Sequence, residues 1–242
     1  MPVTARLPRS ERVVLLATHN IGKTEKAEMY LKAILLLGQE NPPVTVTKVA
    51  EFMGVSAASA SEMIKRMEQN ELVDTSGSDG ITLTERGAVE ARRLVRRMRL
   101  AERLLSDVLK LPLHLIYDEA CKLEHAMSDE VETRLAQALG DPDTCPHGFP
   151  IPSLEGRVSC PLMESLDSLE PGDEARIVSL PERNRSLLEY LIGQGIKPGE
   201  TVKVEELAPF NGPMFVRIAD QRKALAREAL SGVRVQRVSS AS

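Results

Sequence analysis

Between residues 45 and 84 the chain reads TVTKVAEFMGVSAASASEMIKRMEQNELVDTSGSDGITLT, and this stretch constrains the fold more than any other. Thr47 suits the cap of a short helix ending at Met53, and Gly54 suits the tight bend after it. Ser56 then opens a second helix in which Ala60, Met63, Ile64 and Met67 recur at i, i+3, i+4 and i+7. Two short helices joined through a glycine describe a helix-turn-helix, although any small αα-hairpin meets the same description. The residues that follow narrow the choice. Short apolar runs flank the turn Gly77-Ser78-Asp79-Gly80, which predicts a β-hairpin directly after the second helix. Upstream, Thr24 can cap a helix with Glu25 and Glu28 in its first turn. Ala27, Tyr30, Leu31 and Ile34 form its apolar stripe, and Asn41-Pro42-Pro43 ends it. Helix, helix-turn-helix, hairpin is the order of a winged helix.

A net charge of -4 looks wrong for a nucleic-acid binder until the charge is divided along the chain. Residues 1–100 carry 15 Lys and Arg against 12 Asp and Glu, and the remainder carries 16 against 23. The acidity belongs to the C-terminal part, and local charge is what neutralises phosphates. Three cysteines, Cys121, Cys145 and Cys160, are too few and too odd for a disulfide framework. No apolar run is long enough to span a membrane, and VVLLA at 13–17 is not followed by a cleavage site. A cytoplasmic protein without membrane contact is expected.

The pattern predicts a mainly α chain with a small β part, in five segments. Residues 1–20 are an N-terminal extension without sustained period, and 21–92 a winged helix-turn-helix DNA-binding domain. Residues 93–155 are a helical domain, entered by a long helix from Glu85 to Leu109 that Pro112 stops. Its arginines Arg92, Arg93, Arg96, Arg97 and Arg99 read as a solvated or ion-paired face. Ser128, with Asp129 and Glu130 behind it, suits the start of a further helix. Residues 156–166 are a linker, and 167–240 a small β-barrel domain. In that last segment ARIVSL, ETVKVEEL, PMFVRIA and GVRVQRV read as strands, with helices around 187–192 and 222–230.

The stretch DEACKLEHAMSDEVE, residues 118–132, places Cys121, Glu124 and His125 at i, i+3 and i+4, so they project from one face of one helical turn. Thiolate, carboxylate and imidazole together suit a divalent transition ion. Cysteine on a helix is often just a small buried hydrophobe, so the triad alone does not decide the matter. Met29 is a candidate fourth ligand. It lies almost opposite the Ala27, Tyr30, Leu31, Ile34 stripe, although Ala33 and Leu36 share its side and could make a second buried face.

EMYLKAI at 28–34, the helix-turn-helix, RLAERLL at 99–105, DEACKLEHAMSDEVETRL at 118–135 and GFPIP at 148–152 resemble, in order, the diphtheria toxin repressor family of iron- and manganese-dependent regulators. The end of the chain resembles the Src-homology-3-like, FeoA-type module of its longer members. The resemblance implies that 93–155 are a helical dimerisation and metal-binding domain, with a primary metal site at Met29, Cys121, Glu124 and His125. It also implies an ancillary site where Glu102 keeps its carboxylate but Met98 and Tyr117 replace histidines. The matching C-terminal positions fall near Asn184 and Leu187, which do not fit, with Glu182 and Glu189 close by. Cys145 and His147, in the loop Cys145-Pro146-His147, could be metal ligands, but a surface turn is the expected role.

The implied function is a homodimeric repressor of metal homeostasis that binds a pseudo-palindromic operator in double-stranded DNA when Fe(II) or Mn(II) is bound. Sulfur donors favour Fe(II), manganese-specific control of uptake or efflux is the alternative, and other divalent transition ions fit the same donors in vitro. DNA contacts are expected from Thr47, Lys48, Ser56, Ala58, Ser59, Ser61, Glu62, Lys65 and Arg66. Two other classes remain. A thiol-based redox sensor would need a reactive Cys121 or Cys145, and a metal-dependent hydrolase would need a motif such as HExxH that the sequence lacks. No enzymatic activity is expected.

Overall fold

A computed structural model of the chain describes residues 25–40, 42–153 and 163–238. Thr24, Cys160, the extension at 1–20 and most of the stretch 156–166 lie outside the described residues. The chain divides into two compact units, Met1–Val95 and Arg96–Ser242.

In the first unit, α1 (Glu25–Glu40) buries Tyr30, Leu31, Ala33, Ile34 and Leu36. Helix α2 (Val46–Met53) starts two residues earlier than the sequence suggests. Thr45, in extended backbone, accepts a hydrogen bond from the Lys48 amide at 3.2 Å, which leaves Thr47 inside the first turn and exposed. Only the residue preceding the first helical φ/ψ pair can reach an orphan N–H, and that residue is Thr45. Gly54, at φ 64°, closes α2 in the left-handed region, and Ser56 caps α3 (Ala57–Gln69) by accepting from the Ser59 amide at 3.2 Å. Ala60, Ile64 and Met67 are buried in the core that also holds Tyr30, Val49, Leu72 and Ile81. The hairpin is short. Strands β1 (Val73–Asp74) and β2 (Thr82–Leu83) pair antiparallel over two residues each, and Asp74 organises the turn by accepting from the Ser76 amide at 2.8 Å.

Helix α4 (Glu85–Arg103) continues into a π-helical turn, Leu104–Val108, where the Leu109 amide bonds the Leu104 carbonyl at 3.1 Å. In the second unit, α5 (Leu113–Ala126) carries the Cys121, Glu124, His125 turn. Ser128 caps α6 (Asp129–Ala138), accepting from the Val131 amide at 3.3 Å. The arginines of α4 in this unit are ion-paired: Arg96 and Arg97 both reach the buried Glu132, at 3.1 and 2.9 Å.

The remaining elements are β3 (Glu164–Ser165), β4 (Glu174–Ser179), α7 (Arg185–Gly193), β5 (Thr201–Leu207), β6 (Met214–Ile218), β7 (Gln221–Leu225), a helical turn α8 (Arg227–Leu230) and β8 (Arg234–Arg237). They form one antiparallel sheet in the order β3-β8-β4-β5-β6-β7 over a core containing Ile177, Leu188, Val202, Val216 and Val235. The helix expected over 222–230 is a strand for its first half. Ala219 and Asp220, both at positive φ, make a two-residue turn that pairs Ile218 with Gln221, so QRKAL is drawn along β6 despite its helical propensity. Among the described residues no helix is long and apolar enough to cross a membrane.

Because Thr45 holds the cap and Thr47 does not, Thr45→Ala should cost about 1 kcal/mol of unfolding free energy. Thr47→Ala should stay within about 0.5 kcal/mol. Urea titration of both variants measures the difference.

Candidate metal centre

Four buried side chains of the second unit meet at one point. Glu102 from α4, Cys145 and His147 from the loop after α6, and Glu182 from the segment after β4 bring their ligand atoms within 4.8 Å of one another. The loop is held in by its own backbone. Cys145 N–H donates to the Phe149 carbonyl at 2.8 Å, and Leu180 N–H donates to the His147 carbonyl at 3.0 Å. Gly148, at φ 92°, lets the chain press on β4 so closely that a Cβ there would stand 1.8 Å from the Val178 oxygen. Cys145 and His147 are therefore buried, not members of a surface turn.

His147 Nε2 lies 3.2 Å from the Leu113 carbonyl. A carbonyl can only accept, so Nε2 carries hydrogen, and in the neutral ring Nδ1 is left as a lone pair. That atom faces Glu102 Oε1 at 3.5 Å and Glu182 Oε2 at 3.8 Å. Among the described residues neither Glu102 oxygen nor His147 Nδ1 has a hydrogen-bond partner. Buried acceptors without donors are costly, and their convergence on one point suits a cation. Arg99 supplies part of the positive charge. Its Nη1 lies 2.9 Å from Glu182, 3.2 Å from the Cys145 sulfur and 3.6 Å from Glu102, with the guanidinium 4.6 Å from the Phe149 ring centre.

The electrostatics follow from burial and crowding. Burial, followed by the nearby Glu102, pushes the Cys145 thiol well above its ordinary range, against the pull of Arg99. Burial also raises Glu182, whereas for Glu102 the effect of burial is outweighed by His147 and Arg99, and its pKa falls. For His147 burial favours the neutral ring, but Glu102 and Glu182 outweigh it and raise the pKa. One thiol, one imidazole and two carboxylates form a donor set that fits a divalent first-row transition ion.

A second constellation lies on α5. Glu124 is fully buried, Cys121 half-buried, and His125 Nε2 is 3.8 Å from Glu124 Oε1. Neither Met98 nor Tyr117, expected at an ancillary position with Glu102, belongs to the four-donor cluster. Both pack in the apolar core around Leu105, Ile116 and Ala120, and the Met98 sulfur lies 3.8 Å from Cys121 Sγ. Burial, together with Cys121, holds the Tyr117 hydroxyl far above its usual range, so it stays protonated. Asn184 is consumed as the cap of α7 and Glu189 is exposed, which leaves Glu182 as the carboxylate the C-terminal part contributes. In the first unit Met29 is 39% exposed, while Ala33 and Leu36 are buried, so the core of α1 does not account for it.

Three sequence models match consecutive stretches of the chain. They are described as the iron dependent repressor N-terminal DNA binding domain, residues 23–81; the iron dependent repressor metal binding and dimerisation domain, 84–153; and the FeoA domain, 164–237. The iron-dependent repressor IdeR of Mycobacterium tuberculosis is 34% identical over 234 residues, covering 88% of this chain and 98% of that protein. The chain belongs to the diphtheria toxin repressor family. The diphtheria toxin repressor of Corynebacterium glutamicum is 38% identical over 196 residues, covering 81% and 78%. A solved manganese-dependent transcriptional repressor in complex with manganese superposes with a TM-score of 0.82 at 32% identity, covering 87% of this chain and 99% of that one. Relatives named for iron and for manganese are thus about equally similar, and identity does not choose the ion.

In keeping with a repressor family, α3 presents a polar face. Ala58, Ser59, Ser61, Glu62, Lys65 and Arg66 are all exposed. Thr47 on α2 is exposed too, while Lys48 is half-buried with Nζ donating to the Pro43 carbonyl at 2.9 Å, and Ser56 spends its oxygen on the cap. Sequence reasoning named each of these four side chains as a possible ligand but did not join them into one cluster, because they are spread over some eighty residues. The Cys-Pro-His spacing at 145–147 was the available signal, and it required knowing that the loop is buried.

An ion that binds only folded protein stabilises it by about 2.7 kcal/mol at 100 times its dissociation constant. In a Cys121→Ala background, Mn(II) at that excess should raise the unfolding free energy by this amount through the four-donor cluster. Adding His147→Ala should abolish the gain, as read from melts with and without metal.

Proposed function

We propose that this chain is a homodimeric transcriptional repressor whose operator binding is switched on by a divalent transition ion. The observation that carries the reading is the pairing, within a family of metal-dependent repressors, of an exposed polar recognition face on α3 with orphaned buried ligand atoms around Glu102, Cys145, His147 and Glu182. The primary ion would be held by Met29, Cys121, Glu124 and His125. The second would be held by Glu102, Cys145, His147 and Glu182, with His147 presenting Nδ1. When bound, the ions supply positive charge and fixed geometry; no bond of a substrate is made or broken.

Ligands drawn from the α1 segment and from α5 would bind a single ion only when the helices carrying them adopt one arrangement. The ion therefore favours that arrangement by mass action. A dimer presents two copies of α3 to half-sites one helical turn of DNA apart, which makes the operator a pseudo-palindrome. Lys65 and Arg66 would hold phosphates, Ser59 and Ser61 phosphates or base edges, and Ala58 a thymine methyl. Glu62 would accept from cytosine. The face carries few bidentate base readers, so DNA shape contributes to specificity. Sulfur at Met29 and Cys121 favours Fe(II) over Mn(II), and a site of action in the cytoplasm follows from the DNA target.

Chelator-treated protein should bind the DNA upstream of its own gene weakly. Fe(II) under anaerobic conditions should tighten binding about a hundredfold, the shift that about 2.7 kcal/mol allows. Cys121→Ala should remove that response. Equal binding by metal-free protein, loaded protein and variant, measured by fluorescence anisotropy, would refute the switch.

A further inference from the structure

The 3.8 Å contact between Met98 and Cys121 is a sulfur-to-sulfur contact. Methionine has three rotatable bonds and could have offered Cys121 its methyl or a methylene. Instead a fully buried side chain on α4 turns its one donor atom to the thiol that opens the Cys121, Glu124, His125 turn on α5. The separation is also meaningful. Two sulfurs held at about 2.3 Å from one tetrahedral ion stand about 3.8 Å apart. The pair therefore spans the bite of one metal ion without movement of either helix.

We propose that Met98 is a thioether ligand of the Cys121 site, and that it makes this site selective for thiophilic divalent ions over Mn(II). The proposal rests on the reading of Cys121, Glu124 and His125 as metal ligands. It moves Met98 from the carboxylate-rich cluster, where Glu102 meets Cys145, His147 and Glu182, to the Cys121 turn. A thioether is neutral and soft. It adds little for manganese, which prefers oxygen, and more for iron or cadmium. Met98 also closes the apolar floor formed by Ala101, Leu105, Ile116 and Ala120, so an ion there would be shielded from water on that side.

The test uses the full chain with Cys145→Ser, so that Cys121 is the only thiolate in either constellation, loaded with one equivalent of Cd(II). X-ray absorption at the cadmium edge should count three sulfur neighbours, from Met29, Met98 and Cys121. Met98→Leu, close to methionine in volume, should lose one of them. It should also lower the ratio of Cd(II) to Mn(II) affinity about tenfold while leaving the melting temperature of metal-free protein unchanged. An unchanged sulfur count and affinity ratio in Met98→Leu would overturn the proposal and leave Met98 as core. Should Met98→Leu fail to fold, Met29→Leu in the same parent decides: two sulfurs keep Met98 as a ligand, and one excludes it. Cys121→Ala that keeps cadmium and its sulfur shell would instead refute the metal reading of the Cys121 turn, whatever Met98 does.

Discussion

Two carboxylates, a thiol and an imidazole cannot be buried together without positive charge among them. Glu102 and Glu182 are 0% and 4% exposed, and the effective cost of burying one unpaired carboxylate is several kcal/mol. Arg99, itself buried, contacts both carboxylates and the sulfur, yet leaves the Glu102 oxygens and His147 Nδ1 without hydrogen bonds. A guanidinium and a protonated imidazole can balance two carboxylates, and a divalent ion can take over the role of protons on Cys145 and His147. On the proposed reading the cluster is a place where protons and a metal ion compete for the same lone pairs.

The surrounding structure holds that competition in place. Helix α4 brings Glu102 and Arg99, the loop brings Cys145 and His147, and Glu182 follows β4. The main-chain bonds of Cys145 to Phe149 and of Leu180 to His147 fasten the loop to the strand, and Phe149 stacks under Arg99. Side-chain positions fixed by backbone hydrogen bonds and a close glycine contact are stiff, which is what a ligand cage needs to discriminate between ions. The α5 turn differs in kind. Its sulfur lies against a second sulfur on α4, and its imidazole remains partly accessible. The two constellations therefore offer different chemistry, one mixed and carboxylate-rich, the other with sulfur concentrated beside one buried carboxylate.

A regulator of this kind separates sensing from reading. The exposed side chains of α3 are small or polar, and α3 rests on a buried stripe shared with α1 and the hairpin, so its orientation follows the packing of the whole first unit. Such a helix reads DNA only when the dimer sets its spacing. On the proposed reading the ion acts on that spacing and touches no base.

Much of this was legible in the chain. Periodicity located α1, α3 and α4, because a helix that buries one face writes it at 3.6-residue spacing. Cys121, Glu124 and His125 share a turn of α5 and were readable for the same reason. Local chemistry put the cap of α2 at Thr47, where the fold puts it at Thr45, and did not see that QRKAL would be taken up by β6. Both outcomes depend on backbone neighbours, not on the residues themselves. The four-donor cluster marks the boundary most clearly. By itself the sequence determined that Glu102, Cys145, His147 and Glu182 exist and what each can donate. Only the tertiary structure decided that they meet, because a site assembled from separate segments has no period, and its geometry is set by long-range packing that no local pattern encodes.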